Sequence, residues 1–142
     1  MTSRRQRERG ASAVEFALVL PFLLLLIGGM VDFGRFFFTQ NIVVNAAREG
    51  ARMRALGYST TEAGTRIDQA LTGLQTGPGD YTVVYTSEPS GTVDADCPST
   101  PIATDAQRVS IVYSNFSFIF LEPISGILTV PPNGAAELRC GG

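Results

Sequence analysis

Ala11–Val31 reads ASAVEFALVLPFLLLLIGGMV, twenty-one residues in which Glu15 is the only charge. As a helix such a run spans ~31 Å at ~1.5 Å per residue, enough to cross a hydrocarbon core of ~30 Å. A helix of a soluble core keeps one polar face, and Phe22–Ile27 has no polar position at all. The run therefore reads as a single transmembrane helix. Its flanks set the direction: residues 1–10 carry Arg4, Arg5, Arg7 and Arg9 against Glu8, while the rest of the chain carries seven arginines against twelve acids. By the positive-inside rule the leader stays in the cytoplasm and everything after Val31 lies across the membrane. A secretory signal peptide has the same charge layout. Here, however, the run exceeds the usual signal core of about 7–15 residues, and Val-Asp-Phe-Gly-Arg at 31–35 offers no small-x-small cleavage site. The expectation is a single-pass protein of the cytoplasmic membrane with an extracytoplasmic C-terminal part.

At 142 residues the chain has room for one further domain, and its composition closes off several kinds of function. No histidine occurs, which removes the commonest general base and metal ligand, and no nucleophile with a matched base can be assembled. No enzyme activity, cofactor, metal or small-molecule substrate is expected. The chain has no P-loop or dinucleotide fingerprint, and an acidic exported part repels polyanions, so nucleic acid is not an expected partner either.

Glu15 is the residue that needs a reason. A carboxylate at the centre of a bilayer costs about 2.5–3.5 kcal/mol on insertion scales, and less near an edge. Either it reaches water at the cytoplasmic interface or it finds a partner in the membrane. Pro21 removes one helix hydrogen bond, and Gly28 with Gly29 permits close helix approach, although all three also fit ordinary membrane-helix composition.

Gly10-Ala-Ser-Ala-Val-Glu15-Phe resembles the processing site of type IV pilins, in which a short basic leader is removed after a glycine and glutamate is the fifth mature residue. The longer string RGASAVEFALVLPFLLLLIGGMVDFGRFFF, followed by NAAREGAR at 45–52, is similar to the TadE-like family of tight-adherence (Flp) pilus assembly systems. One departure is Phe16, where the pilin-like members usually carry tyrosine. The resemblance implies cleavage between Gly10 and Ala11 by a prepilin peptidase. It also implies that Glu15 neutralises a charged amine of a neighbouring subunit during assembly. The implied role is a minor pilin-like component (pseudopilin) that partners the membrane and other pilus subunits, located in the membrane or in the pilus. The alternative is a permanently anchored envelope protein that binds a partner through its outer domain without entering a filament.

Beyond the membrane, helix is expected to run on to about Ala55, since no proline intervenes and Ala46, Ala47, Ala51 and Ala55 favour it. Val44, Ala47, Ala51 and Ala55 form an apolar stripe, with Arg48, Arg52 and Arg54 read as a solvated basic face and Asp32 and Glu49 as solubilising or helix-pairing charges. Gly57 ends that helix, and Ser59 with Glu62 has capping-box spacing for a second, whose apolar face is Ala63, Ile67, Ala70, Leu71 and Leu74. Tyr81–Ser87 and Arg108–Phe120 alternate as strands, with Val109, Ile111 and Tyr113 on one face of the latter. A loop runs from Glu88 to about Asp105, and further extended pieces are expected at 126–130 and 135–139. In Phe116–Leu121 the aromatic run reads as core or sheet rather than as a membrane- or subunit-facing patch. The fold expected is α+β, with a leader at 1–10, a transmembrane helix at 11–31, a stalk helix at 32–56 and an outer domain at 57–142 holding a short antiparallel sheet.

Cys97 and Cys140 both fall in the part placed outside, where disulfides persist, and are expected to pair. A bridge would contribute up to ~4 kcal/mol in the chain-entropy model. A metal or redox site is the competing reading, but two cysteines with no C-x-x-C and no histidine supply too few ligands.

Overall fold

A computed structural model describes residues 3–74, 76–77, 79–122 and 130–141, with side chains from Ser12 onward. Its elements are α1 (Ser3–Ala55), α2 (Thr60–Ala70), β1 (Tyr81–Glu88), β2 (Thr92–Val93), β3 (Ala106–Tyr113) and β4 (Asn133–Arg139). The class is α+β: a long apolar N-terminal helix, a second helix and one four-stranded antiparallel sheet in the order β2-β1-β3-β4. Two compact units divide the chain. One holds residues up to Arg35 with the described part of 117–129, and the other holds 36–116 with the described part of 130–142.

In the second unit, the sheet is laid down on small residues of α1. Val43, Ala46, Ala47 and Ala51 are fully buried, joined by Ile67 and Leu71 from the α2 segment and by Val109 and Ile111 from β3. Gly50 shows why the stripe is made of small side chains: a Cβ there would stand 2.6 Å from Ile67 Cδ1 and 3.3 Å from Val109 Cγ1. Gly134 on β4 is tighter still. Its Cβ would meet the backbone of Val43 and Val44 at 2.8 Å, so β4 lies directly on the helix main chain. Val43 rather than Val44 turns out to be the valine at the centre of the stripe; Val44 is only half-buried.

Local signals set the ends of the helices. Gly57 adopts φ +85°, and Tyr58 N–H donates to Met53 C=O while Gly57 N–H donates to Arg54 C=O, the paired bonds of a Schellman stop. Ser59 then caps α2 reciprocally: its Oγ accepts from Glu62 N–H at 3.3 Å, and the Glu62 carboxylate accepts from Ser59 N–H at 3.0 Å. The hydrogen bonds from Ser59 hold the Glu62 carboxyl below its usual pKa.

Every residue of β1 pairs with β3, from Tyr81↔Tyr113 to Glu88↔Ala106. Val109, Ile111 and Tyr113 do share the buried face, but β3 stops at Tyr113 rather than running to Phe120. The ladder runs out of partners on one side, since β4 begins only after Pro131 and Pro132, which have no N–H to donate. Within the loop after β1, Thr92 and Val93 form the short edge strand β2. Strand β4 covers the extended piece expected at 135–139, and most of the one expected at 126–130 lies outside the described residues.

Candidate functional site

The apolar stretch of α1 is the candidate site of the first unit. Its most apolar window reaches a mean hydropathy of 2.4, which makes it a candidate membrane span by length and composition. Burial supports the same reading, because Leu18 is 68% and Phe22 77% exposed, and no polar face takes up one side of the helix. Pro21 sits inside the helix without ending it. Glu15 is exposed on this stretch. Gly10 and Ala11 fall within α1, but their side chains lie outside the described residues.

At the end of the apolar run Asp32 does something its sequence position did not announce. Expected as a solubilising or pairing charge, it is fully buried. Its carboxylate accepts three consecutive backbone N–H groups, from Ile119 at 3.0 Å, Phe120 at 2.8 Å and Leu121 at 2.9 Å. The Arg35 guanidinium stands 3.8 Å away. A carboxylate with that many donors fixes a turn of backbone that has no strand partner among the described residues. Within this same turn Leu121 is buried while Ile119 and Phe120 are exposed, so the aromatic run is only partly core.

A second charge departs from expectation in the other unit. Against the expectation of a solvated basic face, which Arg48 and Arg52 meet by being exposed, Arg54 is buried. Its guanidinium donates to Asp96 Oδ1 at 2.7 Å, Ala95 C=O at 2.8 Å and Tyr58 C=O at 2.8 Å, and lies 5.8 Å from the Tyr85 ring centroid. The fork of donors thus ties the end of α1 to the loop after β2. Directly beside it Cys97 and Cys140 stand at disulfide distance, their Cα atoms 5.8 Å apart, joining that loop to the segment after β4. Gln40 adds a smaller clasp, its Oε1 accepting from Asn133 N–H at 3.1 Å at the start of β4.

Among the described residues no cluster of three or more His, Cys, Asp or Glu could hold a metal ion. An open cleft of about 440 Å³ lies between Arg48, Glu49 and Arg52 on α1 and Glu137 on β4, with charges of both signs. Such a surface encloses nothing and selects no one charge.

Sequence reasoning missed Asp32 and Arg54 because both find partners more than forty residues away. The available signal was slight: a lone acid at the end of an apolar run, and an arginine close to an alanine stripe. Comparison with known proteins adds the remaining observation. The family model described as TadE-like protein matches residues 10–52, a span that opens at Gly10 and takes in Glu15, Asp32 and the alanine stripe as far as Ala51. No curated protein and no solved structure matches the chain. Over this N-terminal region, and there alone, the chain is similar to the TadE-like family.

Proposed function

We propose that the chain is a minor pilin-like component of a tight-adherence pilus assembly system, held in the cytoplasmic membrane by the first part of α1. The TadE-like match over residues 10–52 carries the reading, since it covers the apolar helix together with the leader-end glycine and its fifth-position glutamate. In this role the helix stores the subunit in the bilayer, and Glu15 pairs with the amine of a neighbouring subunit, a bond that relieves two charges costly in lipid when alone. The N-terminus is cytoplasmic and the sheet-bearing unit extracytoplasmic. A cysteine pair at disulfide distance agrees with an oxidising compartment, and the leader arginines agree with the positive-inside rule. The role is non-enzymatic: Asp32 and Arg54, the charges buried among the described residues, are spent on structural bonds.

Two measurements on the membrane-extracted protein test this. N-terminal sequencing should find Ala11, and an intact Met1 would favour the permanently anchored alternative. Glu15→Ala should abolish co-purification with other pilus subunits while membrane insertion persists; unchanged assembly would reduce the helix to an anchor.

A further inference from the structure

Ser117-Phe-Ile-Phe-Leu121 belongs to the same compact unit as the apolar stretch of α1, and its position along that helix can be read from a glycine. A Cβ built on Gly28 would stand 2.6 Å from Phe120 Cγ, so the Phe120 side chain rests on the helix at Gly28. Gly28 lies three residues before Val31, the end of the apolar run, a distance of about 4.5 Å along the helix axis at ~1.5 Å per residue. If the run spans a bilayer, Phe120 stands inside its boundary. We propose that residues 117–121 form a second membrane-embedded element, an apolar loop whose tip, Ile119 and Phe120, inserts among lipid acyl chains beside α1. The inference rests on the reading of α1 as a membrane span.

Two further observations carry it. Non-helical backbone is excluded from lipid unless its polar groups are satisfied by protein, because each unsatisfied group costs several kcal/mol there. Asp32 meets the donor half of that demand at the loop's tip: one carboxylate takes the N–H groups of Ile119, Phe120 and Leu121, which would otherwise need water. The outer surface has the matching chemistry. Ile119 is 58% and Phe120 56% exposed, Met30 of the helix is exposed as well, and no charged residue occurs between Tyr113 and Leu121. In water, such a tip would be an unexplained cost. In the outer boundary of a bilayer it adds apolar contact near the shallow limit of interfacial anchors, which bury about 5–10 Å.

Absence of tryptophan from the chain permits a clean test. Single-tryptophan variants Phe120→Trp, Ile119→Trp, Leu24→Trp and Val93→Trp of the full chain are reconstituted in phosphatidylcholine/phosphatidylglycerol vesicles, with far-UV circular dichroism matching the parent as the condition for use. Brominated acyl chains should quench Phe120→Trp, Ile119→Trp and Leu24→Trp, with blue-shifted emission and little quenching by acrylamide. The edge-strand Val93→Trp should show the reverse. Acrylamide quenching of both loop variants as strong as that of Val93→Trp would overturn the inference. So would shielding from both quenchers that is lost on dilution into excess lipid, since a second copy would then be the occupant. If Leu24→Trp itself escapes the brominated lipid, the membrane reading of α1 fails and takes the loop with it; if only the loop variants escape, the loop inference alone fails. Adding Asp32→Ala to Phe120→Trp should abolish its brominated-lipid quenching and leave that of Leu24→Trp unchanged.

Discussion

Between Ser12 and Val31, α1 carries leucine, valine and phenylalanine outward except where Phe120 covers Gly28; between Val43 and Ala55 it buries alanine, glycine, a single valine and Arg54. Both stretches are helix and, apart from the bond that Pro21 removes, share the same backbone bonding, so side-chain size is what differs. Large apolar groups left exposed suit a solvent as apolar as themselves, where they need no partner. Small groups suit a helix whose main chain must come close to another element, as it does at Gly134. The first stretch should therefore tolerate changes of volume and resist charge, and the second should do the opposite.

Charge gives the larger effect. Leu24→Arg places a cation near the middle of the apolar run, at a cost of about 2.5–3.5 kcal/mol on insertion scales. The fraction resisting alkaline extraction from membranes should fall by more than tenfold, whereas Leu24→Ala should leave it nearly unchanged. A Leu24→Arg protein held as firmly as the parent would mean that this stretch is not in lipid.

Volume separates the stretches the other way. Gly134→Ala drives a methyl group into the Val43 and Val44 backbone, and main chain yields less readily than a side-chain tip, so a loss of about 2–3 kcal/mol is expected. Gly29→Ala meets nothing within 4 Å and should cost almost nothing. Urea midpoints of the detergent-solubilised protein make the comparison. Equal midpoints would show that β4 does not rest on the helix backbone as described.

These contrasts were legible in sequence to unequal degrees. The apolar run, the alanine stripe, the stop at Gly57 and the Ser59–Glu62 box are written within a few residues of where they act, and each forms as read except that Val43 replaces Val44 in the stripe. Local pattern also placed Val109, Ile111 and Tyr113 on one face. It could not place Arg54 or Asp32, because burial of a charge depends on acceptors or donors brought from distant loops, and nothing at either position encodes them. The end of β3 was lost for a similar reason: Phe116–Leu121 has strand-like composition, but a strand needs a neighbour, and Pro131-Pro132 withholds one. Composition suggested core, whereas geometry left Ile119 and Phe120 exposed.

Alkaline pH offers the smallest and most selective way to tell the two regions apart, because all tyrosines lie beyond Arg35. Burial first, then the hydrogen bond to Asp68, pushes the Tyr81 phenol up to about 12. Burial likewise raises Tyr85 and Tyr113. A phenol whose pKa is raised on folding favours the protonated native state, so its contribution is complete below about pH 10 and is lost as pH rises toward about 12, where the unfolded chain ionises first. With screening at a half-open site, Tyr81 should account for about 1 kcal/mol. Circular dichroism across that window should show loss of the sheet signal while α1 helicity persists in detergent. Tyr81→Phe should soften the alkaline limb and leave the part due to Tyr85 and Tyr113; an unaltered limb would sink the assignment to Tyr81. Simultaneous loss of helix and sheet signals would show that the apolar stretch depends on the packed one, and the contrast between them would be one of composition only.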